Sequence, residues 1–170
     1  MKRIVRNARL IYWLIKKLEE KYPANQIGKT KIQKLMYLLE NKLNEDFGYT
    51  MYHYGPYSSE VAETLNTANI LGWLDIKWKI DKGYFISTKK VSLPELQDKE
   101  SKVIENLVDK YGDFSAVELS IIATAVYVKN NFDIEDPDEI IDVVLSLKPN
   151  NKREWVKNIL EKAGVINEPH

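Results

Sequence analysis

Cysteine is absent from this chain of 170 residues. That excludes disulfides and thiolate metal sites, and it predicts a cytoplasmic protein. Histidine is almost absent. Only His53 and His170 occur, so a zinc site would have to be assembled from carboxylates around His53. Glycine and proline are sparse, at 7 and 6 residues, and 44% of the chain is hydrophobic, so a folded domain is expected and not a disordered tail. No apolar run approaches the ~20 residues of a membrane helix. The opening "MKRIVRNARLIYWLIKKLEEKY" begins basic, but Arg9, Lys16 and Lys17 interrupt its apolar residues and no small-residue cleavage site follows. It reads as a helix and not as a signal peptide.

Net charge is also missing, yet its distribution is uneven. Residues 1–47 hold eleven Lys/Arg against five Asp/Glu, residues 48–93 five against four, and residues 94–170 nine against sixteen. A polyanion would therefore meet the N-terminal part; alternatively, the basic front and acidic back attract each other or a second copy.

Known catalytic and cofactor patterns are lacking too. "GKT" at Gly28–Thr30 suggests a phosphate loop, but Pro23 stands where that motif needs its first glycine, and a helix precedes it instead of a strand. "DIEDPDE" at 133–139 is acidic like a calcium loop. Asp138 and Val144, however, occupy the positions of its glycine and bidentate glutamate. Ser58 and Ser59 lie near His53 without a nucleophile elbow. No catalytic residue, metal or cofactor is assigned, and a non-enzymatic protein is expected.

What is present is helical periodicity. Ile4, Ala8, Ile11, Ile15, Leu18 and Tyr22 share one face of a helix over 2–22, ended by Pro23. Thr30 and Gln33 have the spacing of a capping box opening a helix to about Asp46, with Ile32, Leu35, Met36, Leu39 and Leu43 inward. Residues 49–54 are expected to be extended, Gly55-Pro56 to form a turn, and Ser58 or Ser59 to cap a third helix carrying Val61, Leu65 and Ala68. Gly72 suits a left-handed helix end. "WLDIKWKI" and "YFIST" around Asp81-Lys82-Gly83 predict a β-hairpin over 73–87. Four helices follow: 97–111; one opened by the Ser115–Glu118 box, with Val117–Val128 apolar nearly all round and expected to be the least accessible segment; one opened at Asp136-Pro137; and one opened at Asn151. The fold class is mainly α with a small β-hairpin (α+β): a winged-helix-like part over 1–92, then an all-helical part over 97–166 packed on it.

"TKIQKLMYLLE", "YHYGPYSSEV" and "GWL" together resemble the YwgA-like and Panacea (SocA-like, antitoxin-associated) proteins over roughly residues 29–75. Tyr54-Gly55-Pro56-Tyr57-Ser58 is the strongest element. The resemblance implies a non-enzymatic interaction protein, antitoxin-like, adaptor-like or regulatory, and names no partner.

Two functions follow. A winged-helix-like regulator would bind nucleic acid through Arg6, Arg9, Lys16, Lys17 and the hairpin lysines Lys77, Lys79 and Lys82. Its contacts would be directed to the phosphate backbone, because the helix after Ser58 has Glu60 and Glu63 but no Lys or Arg. A protein-binding module would instead use Tyr52, His53, Tyr54 and Tyr57, some of which must face the core and some the solvent. Trp13 falls near the face opposite the apolar stripe, among these cations, at about 100° per residue. It is either covered by the acidic helices, set in a homodimer contact, or exposed to a partner.

Overall fold

The computed structural model describes residues 2–167. It is 59% helical and 11% strand, mainly α with two small antiparallel hairpins. Two helices come first, α1 (Arg3–Lys21) and α2 (Lys29–Leu43). A short hairpin, β1 (Thr50–Tyr52) and β2 (Gly55–Tyr57), precedes α3 (Ser59–Ile70). A longer hairpin, β3 (Leu74–Lys79) and β4 (Gly83–Thr88), follows. The chain then runs through α4 (Asp98–Tyr111), α5 (Ala116–Phe132), α6 (Pro137–Leu147) and α7 (Arg153–Lys162). Among the described residues no helix is long and apolar enough to cross a membrane.

One apolar core runs through both the 1–92 and 97–166 parts. Leu10, Ile11, Leu14 and Ile15 of α1 join Ile32, Leu35, Met36 and Leu39 of α2, Leu65 of α3, and Leu119, Ile122 and Ala125 of α5. β4 is tied to the segment before α2, because Ile86 N donates to Ile27 O at 2.8 Å.

Several local expectations hold. Ser58 caps α3, its Oγ accepting from Val61 N at 3.0 Å. Ser115 and Glu118 form the expected box, and Asp136 caps α6 with Pro137 in its first turn. Gly72 has φ +80°, as a left-handed helix end requires.

Other expectations are corrected. Thr30 and Gln33 form no capping box: the N-cap of α2 is Gly28, two residues earlier, with no side-chain cap. Gln33 is buried and spends its amide on Ser58, 25 residues away in sequence. Long-range satisfaction of a buried amide outweighs a local cap worth about 1 kcal/mol. α7 opens from Lys152 and not from Asn151. The turn of the first hairpin is His53-Tyr54, not Gly55-Pro56. Tyr52 pairs with Gly55 and Met51 with Pro56, so these two residues lie within β2. Proline is tolerated there because β2 is an edge strand.

The longest buried run is also not in α5. Every residue from Lys31 to Leu39 is buried, against Leu119–Ala125 in α5, whose Val117 is 62% exposed. Lys31 and Lys34 hid this from hydropathy. Each carries an apolar stem inward and ends on a buried carbonyl, Gly112 O at 2.7 Å and Pro56 O at 2.8 Å.

Candidate partner-binding site

The two sequence segments that carry the family resemblance bond to each other. Gln33 Nε2 donates to Ser58 O at 2.8 Å, and Ser58 N donates to Gln33 Oε1 at 3.0 Å. Ser58 Oγ donates to Phe47 O at 2.5 Å, and Tyr49 OH donates to Gln33 O at 2.6 Å. Lys34 Nζ adds its bond to Pro56 O. Four of these five bonds tie β1–β2 and its flanking residues Tyr49 and Ser58 to α2, and buried polar bonds of this kind hold one geometry because each unmade bond would be costly.

The hairpin held this way presents its aromatic side chains outward. Tyr52 is 62% exposed, Tyr54 74% and Tyr57 37%, and His53 is exposed as well. The expectation that some of these tyrosines pack inward is corrected: all three lie at the surface. The displaced turn explains it. Thr50 pairs with Tyr57, so Tyr52 and Tyr57 share the outer face with ring centroids 5.4 Å apart, while His53 and Tyr54 form the tip. Pro56 takes the inner face. Tyr49, before β1, is the tyrosine that goes inside, and burial raises its hydroxyl well above its ordinary value.

The N-terminal cations are mostly occupied. Arg6 pairs with Glu45, Lys17 with Glu20 and Glu105, and Lys21 with Asp109; Arg3 reaches Glu60 at 2.6 Å. Arg9 is half-buried with its Nε unpartnered, and Lys16 is half-buried without an ion pair among the described residues. The basic front and the acidic back thus meet through α1 and α4. Among the hairpin lysines, Lys77 pairs with Asp75 at 3.3 Å, Lys79 lies 4.3 Å over the Phe85 ring, and Lys82 sits in the β3–β4 turn.

Trp13 is half-buried beneath the connector to α4. Its Nε1 donates to Pro94 O at 3.1 Å, and its ring meets Tyr12 edge-on at 5.2 Å. This cover comes from the connector at Pro94, where the sequence predicted the acidic helices. Trp13→Ala is therefore expected to lower stability by about 2–4 kcal/mol while leaving sedimentation unchanged, which thermal melting and ultracentrifugation on the same variant would check.

Sequence reasoning did not single out the second hairpin's aromatics. Trp78 is 61% exposed, stacks edge-on with Tyr84 at 4.9 Å, and is followed by the exposed Ile80. Lys29 Nζ lies 3.9 Å over the Tyr84 ring. The alternation of "WLDIKWKI" was the available signal: Leu74 is buried, but the same face projects past the core by Trp78.

Burial also sets protonation at the base of the first hairpin. Desolvation lowers Lys34 from 10.5 to about 8, with Lys148 contributing further, and it lowers Lys31 and Lys148 too. An unfolded lysine holds its proton to about pH 10.4. Between pH 8 and that value the unfolded chain binds the extra proton, so stability rises with pH. Tyr37 and Tyr49, raised by burial, reverse the trend above about pH 10, where unfolded tyrosines ionise. Denaturant midpoints should therefore climb from about pH 8 to about pH 10, and Lys34→Met should flatten the climb. A parent profile that is level through this window would mean that Lys34 titrates normally.

Among the described residues no group of three His, Asp or Glu side chains could hold a metal ion. No protein-family model matches the chain, and no curated protein matches it.

Proposed function

We propose that this chain is a non-enzymatic, protein-binding module of the YwgA-like and Panacea kind, antitoxin-like or adaptor-like, which docks a partner on the aromatic β1–β2 hairpin. The observation that carries this reading is the combination of Tyr52, His53, Tyr54 and Tyr57 exposed on a hairpin whose base is locked by buried bonds. Exposed aromatics on a rigid support bind at low entropic cost, and tyrosine is over-represented where interface energy concentrates. The cytoplasm is the compartment proposed for it.

A second reading, a regulator contacting nucleic acid, is favoured by one observation. Trp78 and Tyr84 stand beside Lys29 and Lys82 at the β3–β4 tip, where a base could stack and a phosphate be neutralised. The ion pairs of α1 make this tip a stronger place for a polyanion than Arg6 or Lys17. In a winged-helix reading, α3 would offer Glu60, already bonded to Arg3 and Asn7.

The experiment is a comparison of hairpin variants on one immobilised partner captured from the native host. Tyr52→Ala with Tyr54→Ala should melt within about 1 kcal/mol of the parent, since both rings are exposed, yet weaken partner binding at least about tenfold. Unchanged partner binding, with loss on Trp78→Ala together with Lys82→Ala and a steep salt dependence, would favour the nucleic-acid reading instead.

A further inference from the structure

Beneath the aromatic hairpin lies a pocket of about 410 Å³ lined by Met51, Tyr52, His53, Gly55, Thr124, Leu147 and Lys148. Its wall holds an anomaly. Thr124 is fully buried, and its Oγ1 has no hydrogen-bond partner. A threonine inside a helix ordinarily returns its hydroxyl to the carbonyl one turn earlier, as Thr64 does to Glu60 O at 2.8 Å. An orphaned hydroxyl in a fully buried position is costly unless something else completes it.

The charge of the pocket has one sign. Lys148 lines it, Lys34 lies behind Gly55, and no acidic residue is among the lining side chains. Among the described residues neither Lys34 nor Lys148 has a carboxylate within ion-pair distance, although ion pairs satisfy much of α1. Burial lowers both lysines, and Lys148 is a further cause at Lys34. A single negative charge would relieve both lysines and give the Thr124 hydroxyl an acceptor.

We propose that this pocket receives one carboxylate of the docking protein, bonded by Thr124 Oγ1 and Lys148 Nζ while Tyr52 and His53 close over its apolar stem. This rests on the protein-binding reading of the hairpin and adds the chemistry of the partner's anchor. A carboxylate fits better than a phosphate. Leu147 and Lys148 end α6, whose C-terminal carbonyls disfavour a doubly charged group, and no arginine fork or free helix N-terminus lines the pocket. Met51 and Leu147 suit the methylenes of an acidic side chain, and a chain terminus offers the same head group.

The test uses the full chain labelled at threonine methyls and titrated with sodium acetate. The Thr124 methyl resonance is expected to shift saturably with a millimolar dissociation constant, in the range that a few charge-assisted bonds supply, about 10⁻³ M. Thr124→Val keeps the shape, should melt no lower than the parent, and should weaken acetate binding about tenfold or more. Two blocked peptides with a central glutamate or glutamine, and a third with a free C-terminus and glutamine, separate a side-chain source from a terminal one. Inorganic phosphate binding more tightly than acetate would overturn the choice of anion. A Thr124 resonance unmoved by acetate and by all three peptides, or Thr124→Val binding like the parent, would overturn the site. Partner capture that persists and still depends on Tyr52 and Tyr54 would then leave the docking surface standing. Acetate binding with a partner that ignores those tyrosines would instead remove the surface and this inference's carboxylate donor together.

Discussion

Gly55→Val is expected to destabilise the protein by about 3–5 kcal/mol, the sum of a backbone strain and an overpacking cost. Gly55 has φ +102°, a conformation in which a β-branched residue is strongly disfavoured. It is also buried against α5. A Cβ built there would stand 2.7 Å from Thr124 Oγ1 and 3.3 Å from Ser120 O, and the second of these is helix backbone that cannot give way. Gly55→Ala should already cost more than half of the valine effect, because strain and contact both begin at Cβ. The consequence reaches function: if β2 lifts from α5, the bond between Lys34 and Pro56 O is lost and the exposed tyrosines lose their fixed base. Equilibrium unfolding in urea of the two variants and the parent checks this. A valine variant within about 1 kcal/mol of the parent would mean that the strand is free to move away from the helix.

The second large effect is at Ile122, fully buried at the centre of α5. Ile122→Ala removes three heavy atoms from a packed interior, which costs about 2–5 kcal/mol depending on how far the surroundings collapse. The upper half of that range is expected. α5 is clasped by α2, α6 and α7 and by β2, so few neighbours can shift inward without breaking contacts of their own. Ile122→Val should cost only about 0.5–1.5 kcal/mol. A cost for alanine no larger than for valine would show a loosely packed α5.

The sequence made the helices legible because their apolar residues recur at helical spacing and because Ser58, Ser115 and Asp136 announce where three of them begin. What stayed hidden shares one cause. Gln33 was read through a local rule, as a cap, and Lys31 and Lys34 were not singled out, whereas the fold uses each for a long-range bond to a buried backbone group. Such bonds have no signature in spacing. The turn likewise lies at His53-Tyr54, with Pro56 inside β2 and its carbonyl bonded to Lys34. That two-residue displacement decides the exposure of Tyr52 and Tyr57, so the candidate residues were legible by type and their orientation was not. Trp13 shows the converse. Helical geometry placed it off the apolar face, but the connector that covers it at Pro94 has no periodicity to announce it.

Amide hydrogen exchange on the chain with its captured partner bound tests the central claim most directly. Slowed exchange at Met51 to Tyr54 and at Tyr57 on binding, with β3–β4 and the N-terminal half of α1 unaffected, is the predicted footprint. Protection confined to Trp78–Tyr84, with the β1–β2 hairpin exchanging as in the free chain, would contradict it.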